Sequence, residues 1–429
     1  MMKTFSLPFG KGTQTISLDE THVLYDLHGN HVEAVRDEQA AIREALRHPI
    51  GSAPLKDVVQ AGDTVAIVVS DITRLVHTAQ MLPVIVDELN QAGVRDEQIT
   101  VVTAQGTHRA HTPEEDVIVC GEDMVKRVKV VSHDCRDASQ LTKIGTTTHG
   151  NDIYLNSHVV QADKVILTGA VSFHPMAGFG GGRKAVLPGV ASYETIMRNH
   201  AMALTDTFGG GCNPKCETSL LEDNPLHDDM KQAAALLNPC FLVNTVFSAD
   251  GDLYEVVGGH WYDAWKKGCD DLLNIASVSI RELADITIAS AGGYPKDMNL
   301  YQSMKAPMNA VFATQPGGTM ILTLDCPDIK EPAIFTDWFF RSDMEAFEKD
   351  LRADFSIPAF VAFKSHCIFR SMKAVYVVTR PENFDIIRHS GLIPAATLEE
   401  AWEKAQADLP EDYKVTIMGH ASATFPVRK

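Results

Sequence analysis

Basic charge is scarce in this chain. Thirty-eight Lys and Arg stand against 56 Asp and Glu, a formal net charge of −18 over 429 residues. Nucleic acid and anionic membranes both demand basic surface, so neither is expected as a partner. A small anionic substrate held by a few local cations remains compatible. Cysteine is sparse and dispersed, with eight residues at 120, 135, 212, 216, 240, 269, 326 and 367. No CxxC occurs, which excludes a tightly grouped zinc site and reads as scattered reduced thiols of a cytoplasmic protein. Long apolar runs are missing as well. The opening MMKTFSLPFGKG reads as neither a signal peptide nor a membrane span. No repeat and no low-complexity tract is visible.

What is present is a series of short β-branched runs, each closed by a polar or glycine-rich loop. TVAIVVS (64–70), ITVVTA (99–104), KVILTGAVS (164–172), ADITIAS (284–290), GTMILTL (318–324) and AVYVVT (374–379) read as buried parallel strands. Between the first two lies MLPVIVDELNQAG, with Leu82, Ile85, Val86 and Leu89 at helical spacing and Gly93 at the stop. That is a β-α-β unit, and it predicts α/β architecture with mainly parallel, doubly wound sheets. The length suggests two α/β domains with an active site in the cleft between them. The stretch 257–283 reads as a helix crossing into a new unit. The expected division is 1–270 and 271–409, with 410–429 returning to the first domain.

Ligands in open α/β sheets bind beyond the carboxyl ends of the strands. The residues delivered there are Asp71 and Arg74 after the first strand and His108 after the second. The third is followed by His174 and the run GFGGGRK (178–184), and the fourth by Tyr294. The glycine run fails both the P-loop pattern and the dinucleotide fingerprint. Four glycines in five places, Gly180, Gly181 and Gly182 among them, still let backbone amides approach an anion, with Arg183 and Lys184 adding charge. The alternatives are a mobile glycine hinge with surface cations, or a lysine that carries a covalent attachment. His200 closes a stretch that reads as a helix, SYETIMRNH, where the helix dipole alone favours a histidine. Asp71 and Arg74 also read as a loop ion pair, and SDIT as a helix cap. Two histidines facing one substrate suit a reaction run in both stereochemical senses, each serving as base for one hand and acid for the other.

The set SDITR, GTHR, HPMAGFGGGRK, Asn199-His200, GGYPKD and YQSMK resembles the nickel-dependent lactate racemase family, which includes other 2-hydroxyacid racemases and epimerases. The resemblance implies a nickel-pincer nucleotide joined covalently to Lys184, with His200 as the protein ligand to nickel. It implies His108 and His174 as the acid/base pair, and hydride transfer from the substrate C2 to the cofactor. Asp71 matches a family position beside the site that orients a histidine, and Arg74 one that binds the substrate carboxylate. Gln302 and Lys305 match a substrate-contacting pair, with Tyr294 lining the same pocket. The implied partners are a small 2-hydroxyacid and the cofactor-making proteins that load the enzyme. Two departures from the family pattern, Pro175-Met176 and the segment AFVAFKSHCIFR with Phe363, Lys364 and His366, suggest a substrate larger than lactate or doubly charged. Two rival readings are a pyridoxal-type amino-acid racemase with Lys184 as its Schiff base, and a non-catalytic nickel-cofactor carrier or sensor.

Overall fold

The protein is described from a computed structural model covering residues 1–429 apart from His31, Leu75, Asp250, Asp408 and Lys429. The chain divides into two compact units. One comprises 32–203 and 214–274; the other comprises 1–31, 204–213 and 275–429. Each is an α/β layer structure around its own six-stranded sheet.

In the unit holding 32–203, the sheet order places Val65–Ser70 between Ile99–Ala104 and Lys164–Val171. These pair in parallel, as do Lys129–Ser132 and Phe241–Phe247 further out; only Leu253–Gly259 at one edge runs antiparallel. Strands buried on both faces must be apolar throughout, and Val65, Ala66, Ile67, Val68 and Val69 are all almost fully buried. The helix Thr78–Gln91 covers one face with Leu82, Ile85, Val86 and Leu89, the residues spaced for it. Gly93, at φ +92°, follows its end and donates to the Asn90 carbonyl. The helix begins after His77, in a left-handed conformation with no side-chain cap, so SDIT does not cap it. Successive strands leave Val65–Ser70 in opposite directions, which puts a topological switch between it and Lys164–Val171.

The other unit repeats this logic. Its sheet is all parallel, with Ala284–Ser290 flanked by Thr314–Thr323 on one side and Val415–Met418 on the other. The switch again falls beside its first long strand. The expected domain boundaries are corrected at two places. Residues 410–429 stay in this unit, because Val415–Met418 pairs inside its sheet. The N-terminal 31 residues join it too, because Val23–Leu27 pairs in parallel with Val415–Met418 as the edge strand. The hairpin Met2–Phe9 and Gly12–Asp19 adds Phe5, Leu7, Ile16 and Leu18 to the same core as Ile286, Ile321 and Trp402. An alternating pattern on so short a segment gives no clue to a partner 400 residues away.

Leu7 has no exposed surface, so Leu7→Ala should cost about 2–5 kcal/mol. Chemical denaturation followed by tryptophan fluorescence should show a lowered midpoint. A change under about 0.5 kcal/mol would mean the hairpin is not part of the core.

Candidate functional site

The switch point of the first unit collects the polar residues. Asp71 and Arg74 lie on the loop after Val65–Ser70, His108 on the loop after Ile99–Ala104, and His174 just past Lys164–Val171. Asp71 is buried and accepts from Nδ1 of His108 at 2.6 Å, while Thr73 donates to its other oxygen at 2.7 Å. Burial alone would raise the Asp71 carboxyl. The bonds from His108 and Thr73, with the charges of His108 and Arg74, outweigh it and leave the carboxyl below its usual range. A carboxylate only accepts, so the His108 proton sits on Nδ1 and Nε2 is left as a base. Arg74 is exposed, and its guanidinium has no hydrogen bond or ion pair among the described residues. The expected Asp71–Arg74 pair is replaced by the Asp71–His108 pair.

His174 accepts at Nδ1 from the amides of Met176 and Ala177, at 3.3 and 3.1 Å. Its proton therefore occupies Nε2, which lies 3.3 Å from Nζ of Lys184. Burial first, then the charges of Lys184 and Arg74, holds His174 well below the ordinary histidine range. Burial, then Arg74 and Arg183, does the same to Lys184. Both shifts disfavour the charged forms, and the imidazole faces the amine. His200 is buried and donates Nδ1–H to the Ile196 carbonyl at 2.9 Å, which leaves Nε2 as the donor atom for a metal. Burial and the Lys184 charge push it down to about 3. It is not the dipole-stabilised cation that a helix end alone would favour. Its helix, Tyr193–Ala201, is capped by Ser192 and braced by Asn199, which donates to the buried Asp229 at 2.9 Å.

The glycine run is neither a mobile hinge nor an open anion nest. The Gly180 amide donates to the Ser172 carbonyl at 2.6 Å and the Gly182 amide to Asn244 at 2.8 Å. At Gly182, φ is +54° and a Cβ would lie 2.4 Å from the Trp265 ring; at Gly181 it would lie 2.7 Å from the Ala170 carbonyl. The glycines are there because protein presses on the loop from every side. Arg183, read from the sequence as added charge for an anion or, alternatively, as a surface cation, is fully buried. It donates to the Phe179 and Ala177 carbonyls at 2.8 and 2.7 Å and to Nδ1 of His227 at 3.0 Å, and lies 4.0 Å over Trp265. His227, Asn244 and Trp265 were not singled out in the sequence. They come from distant strands and helices and have no motif of their own. His111 is a further surprise. It accepts at Nε2 from the Ile72 amide and donates to Asp116, so it steadies the Asp71 loop.

Tyr294, Gln302 and Lys305 belong to the other unit. Tyr294 follows Ala284–Ser290 at that sheet's switch point and is 53% exposed. Its amide donates to the Gly10 carbonyl at 2.8 Å, and the Gly10 amide donates to the buried Asp297 at 2.7 Å. This clasp sets Lys11 5.4 Å from the Tyr294 ring centroid. Lys305 Nζ donates to Gln302 at 3.3 Å, so the two meet, although their helix breaks at Met304 between them. Neither departure from the family pattern faces a substrate. Met176 is buried, and Phe363, Lys364 and His366 are buried inside this unit, with His366 bonded to the Phe339 carbonyl at 2.7 Å.

The lactate racemase N-terminal domain model matches residues 9–209, and the C-terminal domain model matches 280–423. The chain belongs to the lactate racemase family. It is a racemase, and the family implies a cofactor. Lactate racemase of Thermoanaerobacterium thermosaccharolyticum is 31% identical over 426 residues, covering 97% of each chain. Lactate racemase of Lactiplantibacillus plantarum is 32% identical over 433 residues, covering 97% of this chain and 98% of its own. The solved lactate racemase apoprotein from T. thermosaccharolyticum superposes with a TM-score of 0.89 at 30% identity, over 99% of this chain and 100% of that one. A Thermotoga maritima protein shares the fold, at a TM-score of 0.63 and 18% identity over 93% of this chain and 100% of its own. Among the described residues no cluster of three or more His, Cys, Asp or Glu could hold a metal, and no helix is long and apolar enough to cross a membrane.

The His227–Arg183 contact makes a pH prediction for this racemase. Burial, then the charges of Arg183 and Lys231, lowers His227 to about 3. The unfolded chain takes up this proton near pH 6.5 and the folded protein does not. Stability is therefore fully present above that pH and falls on acidification. The contribution should reach about 1.4 kcal/mol per pH unit. Denaturant midpoints taken from pH 7 down to pH 4 should drop, and His227→Gln should flatten the drop; an unchanged slope would mean that His227 is charged in the fold.

Proposed function

We propose that this racemase inverts C2 of a small 2-hydroxyacid, with lactate as one candidate, using a nickel-pincer nucleotide joined to Lys184 and ligated through nickel by His200. The observation that carries this reading is the pair of oppositely prepared histidines, one held by Asp71 and the other directed at Lys184. The residues fit the group. Burial and the neighbouring arginines shift Lys184 toward the neutral amine, the form of lysine that makes a covalent bond. A buried neutral imidazole with Nδ1 fixed and Nε2 left as donor suits nickel. When bound, the cofactor supplies the acceptor for the C2 hydride and the means of returning it.

The chain supplies position and proton transfer. His108 takes the substrate hydroxyl proton at Nε2, and Asp71 stabilises the imidazolium that results. His174 serves the other hand of the substrate. In this conformation it is an Nε2–H donor, and it becomes a base when Nδ1 is released from the two amides. Arg74 captures the substrate carboxylate, since its fork suits bidentate binding and nothing else among the described residues engages it. Tyr294, Gln302 and Lys305 serve as the second unit's substrate contacts.

His108→Ala and His174→Ala should each lower kcat about 10²–10⁴-fold while the adduct on Lys184 persists. Asp71→Asn should lower kcat with little change in KM. The deciding test uses substrate deuterated at C2, racemised in ordinary water. Hydride transfer keeps the deuterium at C2 of the product. Loss of the label to solvent would contradict this reading and favour proton abstraction, as in a pyridoxal-type racemase.

A further inference from the structure

A second site candidate lies in the unit holding 275–429, at the opposite end of its sheet from Tyr294. A cavity of about 350 Å³ opens where Lys373 leads into the strand Ala374–Val378 and Ile393 begins the next one. Arg341, Arg370, Lys373 and Arg388 line it, together with Phe340 and Phe369, and no aspartate or glutamate does. Acids outnumber bases 56 to 38 in the whole chain, so a cavity wall with four Lys or Arg and no acid departs from its surroundings. Helix capping explains part of this. Arg370 ends the helix Ile357–Arg370, and Arg388 lies in the last turn of Phe384–His389, where cations complement the dipole. Arg341 follows the end of the helix Ala333–Phe339 in the same way; the dipoles do not explain Lys373, on the bend before Ala374–Val378.

The three guanidiniums keep donors for a ligand. Arg370 is exposed and has no ion pair or hydrogen bond among the described residues. Arg388 pairs with Asp385 at 3.0 Å, and Arg341 pairs with Asp350 at 2.5 Å and lies 3.8 Å over the Trp338 ring. Both acids are more than half exposed, and surface pairs of this kind contribute little. The volume is in the range of small-ligand pockets and far exceeds one phosphate, so the occupant has a body as well as a charge. Phe340 and Phe369 give that body an apolar wall.

We infer that this cavity binds a phosphate-bearing small molecule of the nucleoside phosphate class, with the guanidinium forks on the phosphates and the rings on the base or sugar. The site is independent of the racemase chemistry assigned to Lys184 and the histidines.

Isothermal titration of the full chain at low salt, with ADP, inorganic pyrophosphate and adenosine, tests it. ADP and pyrophosphate should bind, ADP at one per chain in this cavity and more tightly than pyrophosphate, and adenosine should not. Arg370→Glu combined with Lys373→Glu should weaken ADP at least ten-fold. Both residues are exposed, and an unchanged far-ultraviolet spectrum checks the fold. No binding, adenosine binding as well as ADP, or ADP binding untouched by the double variant would overturn the inference. Binding that persists in the double variant but is lost in His200→Ala would place the nucleotide in the other unit, and would overturn it equally.

Discussion

A guanidinium buried without a carboxylate organises this chain's site. Taking Arg183 out of water costs several kcal/mol, and the fold offsets this with two carbonyls, a histidine nitrogen and the face of Trp265. Those partners come from the loop itself and from two separate segments, so satisfying one side chain fixes the path of 177–183. The same path sets the amide of Ala177 on His174 and points Lys184 at its other nitrogen. The positive charge, fixed nearby and uncompensated, also helps lower Lys184. Structure and reactivity therefore have one origin here.

Each unit places its functional loop where strand order reverses, and for the same reason. Loops leaving the sheet in opposite directions open a crevice at their base. In one unit this crevice gathers Asp71, Arg74, His108 and His174. In the other it gathers Tyr294, and the N-terminal hairpin adds Lys11 through a clasp on Asp297. The hairpin is as much a part of that loop's support as the strand preceding it.

The strands and the helix Thr78–Gln91 were legible because burial on both faces and a 3.6-residue period leave plain local patterns. His108, His174 and Lys184 were legible because a parallel sheet tells in advance which loop ends matter. The direction a side chain takes was not legible. Arg183 and Lys184 are neighbours in sequence, yet one turns inward to a protein cage and the other toward His174. The glycines were read as room for a ligand; they are room for Trp265 and the Ala170 carbonyl. Met176, Lys364 and His366 carried an argument about substrate until burial removed it. Long-range pairing was equally hidden, as Val23–Leu27 beside Val415–Met418 shows.

The central claim is that Lys184 carries, and His200 ligates through nickel, one covalently attached cofactor. Intact-protein mass spectrometry with nickel analysis, after coexpression with cofactor-making proteins, tests it most directly. The account predicts a mass increase localised to Lys184 and about one nickel per chain. An unmodified Lys184 with no nickel, under conditions that load a lactate racemase of the same family, would contradict it.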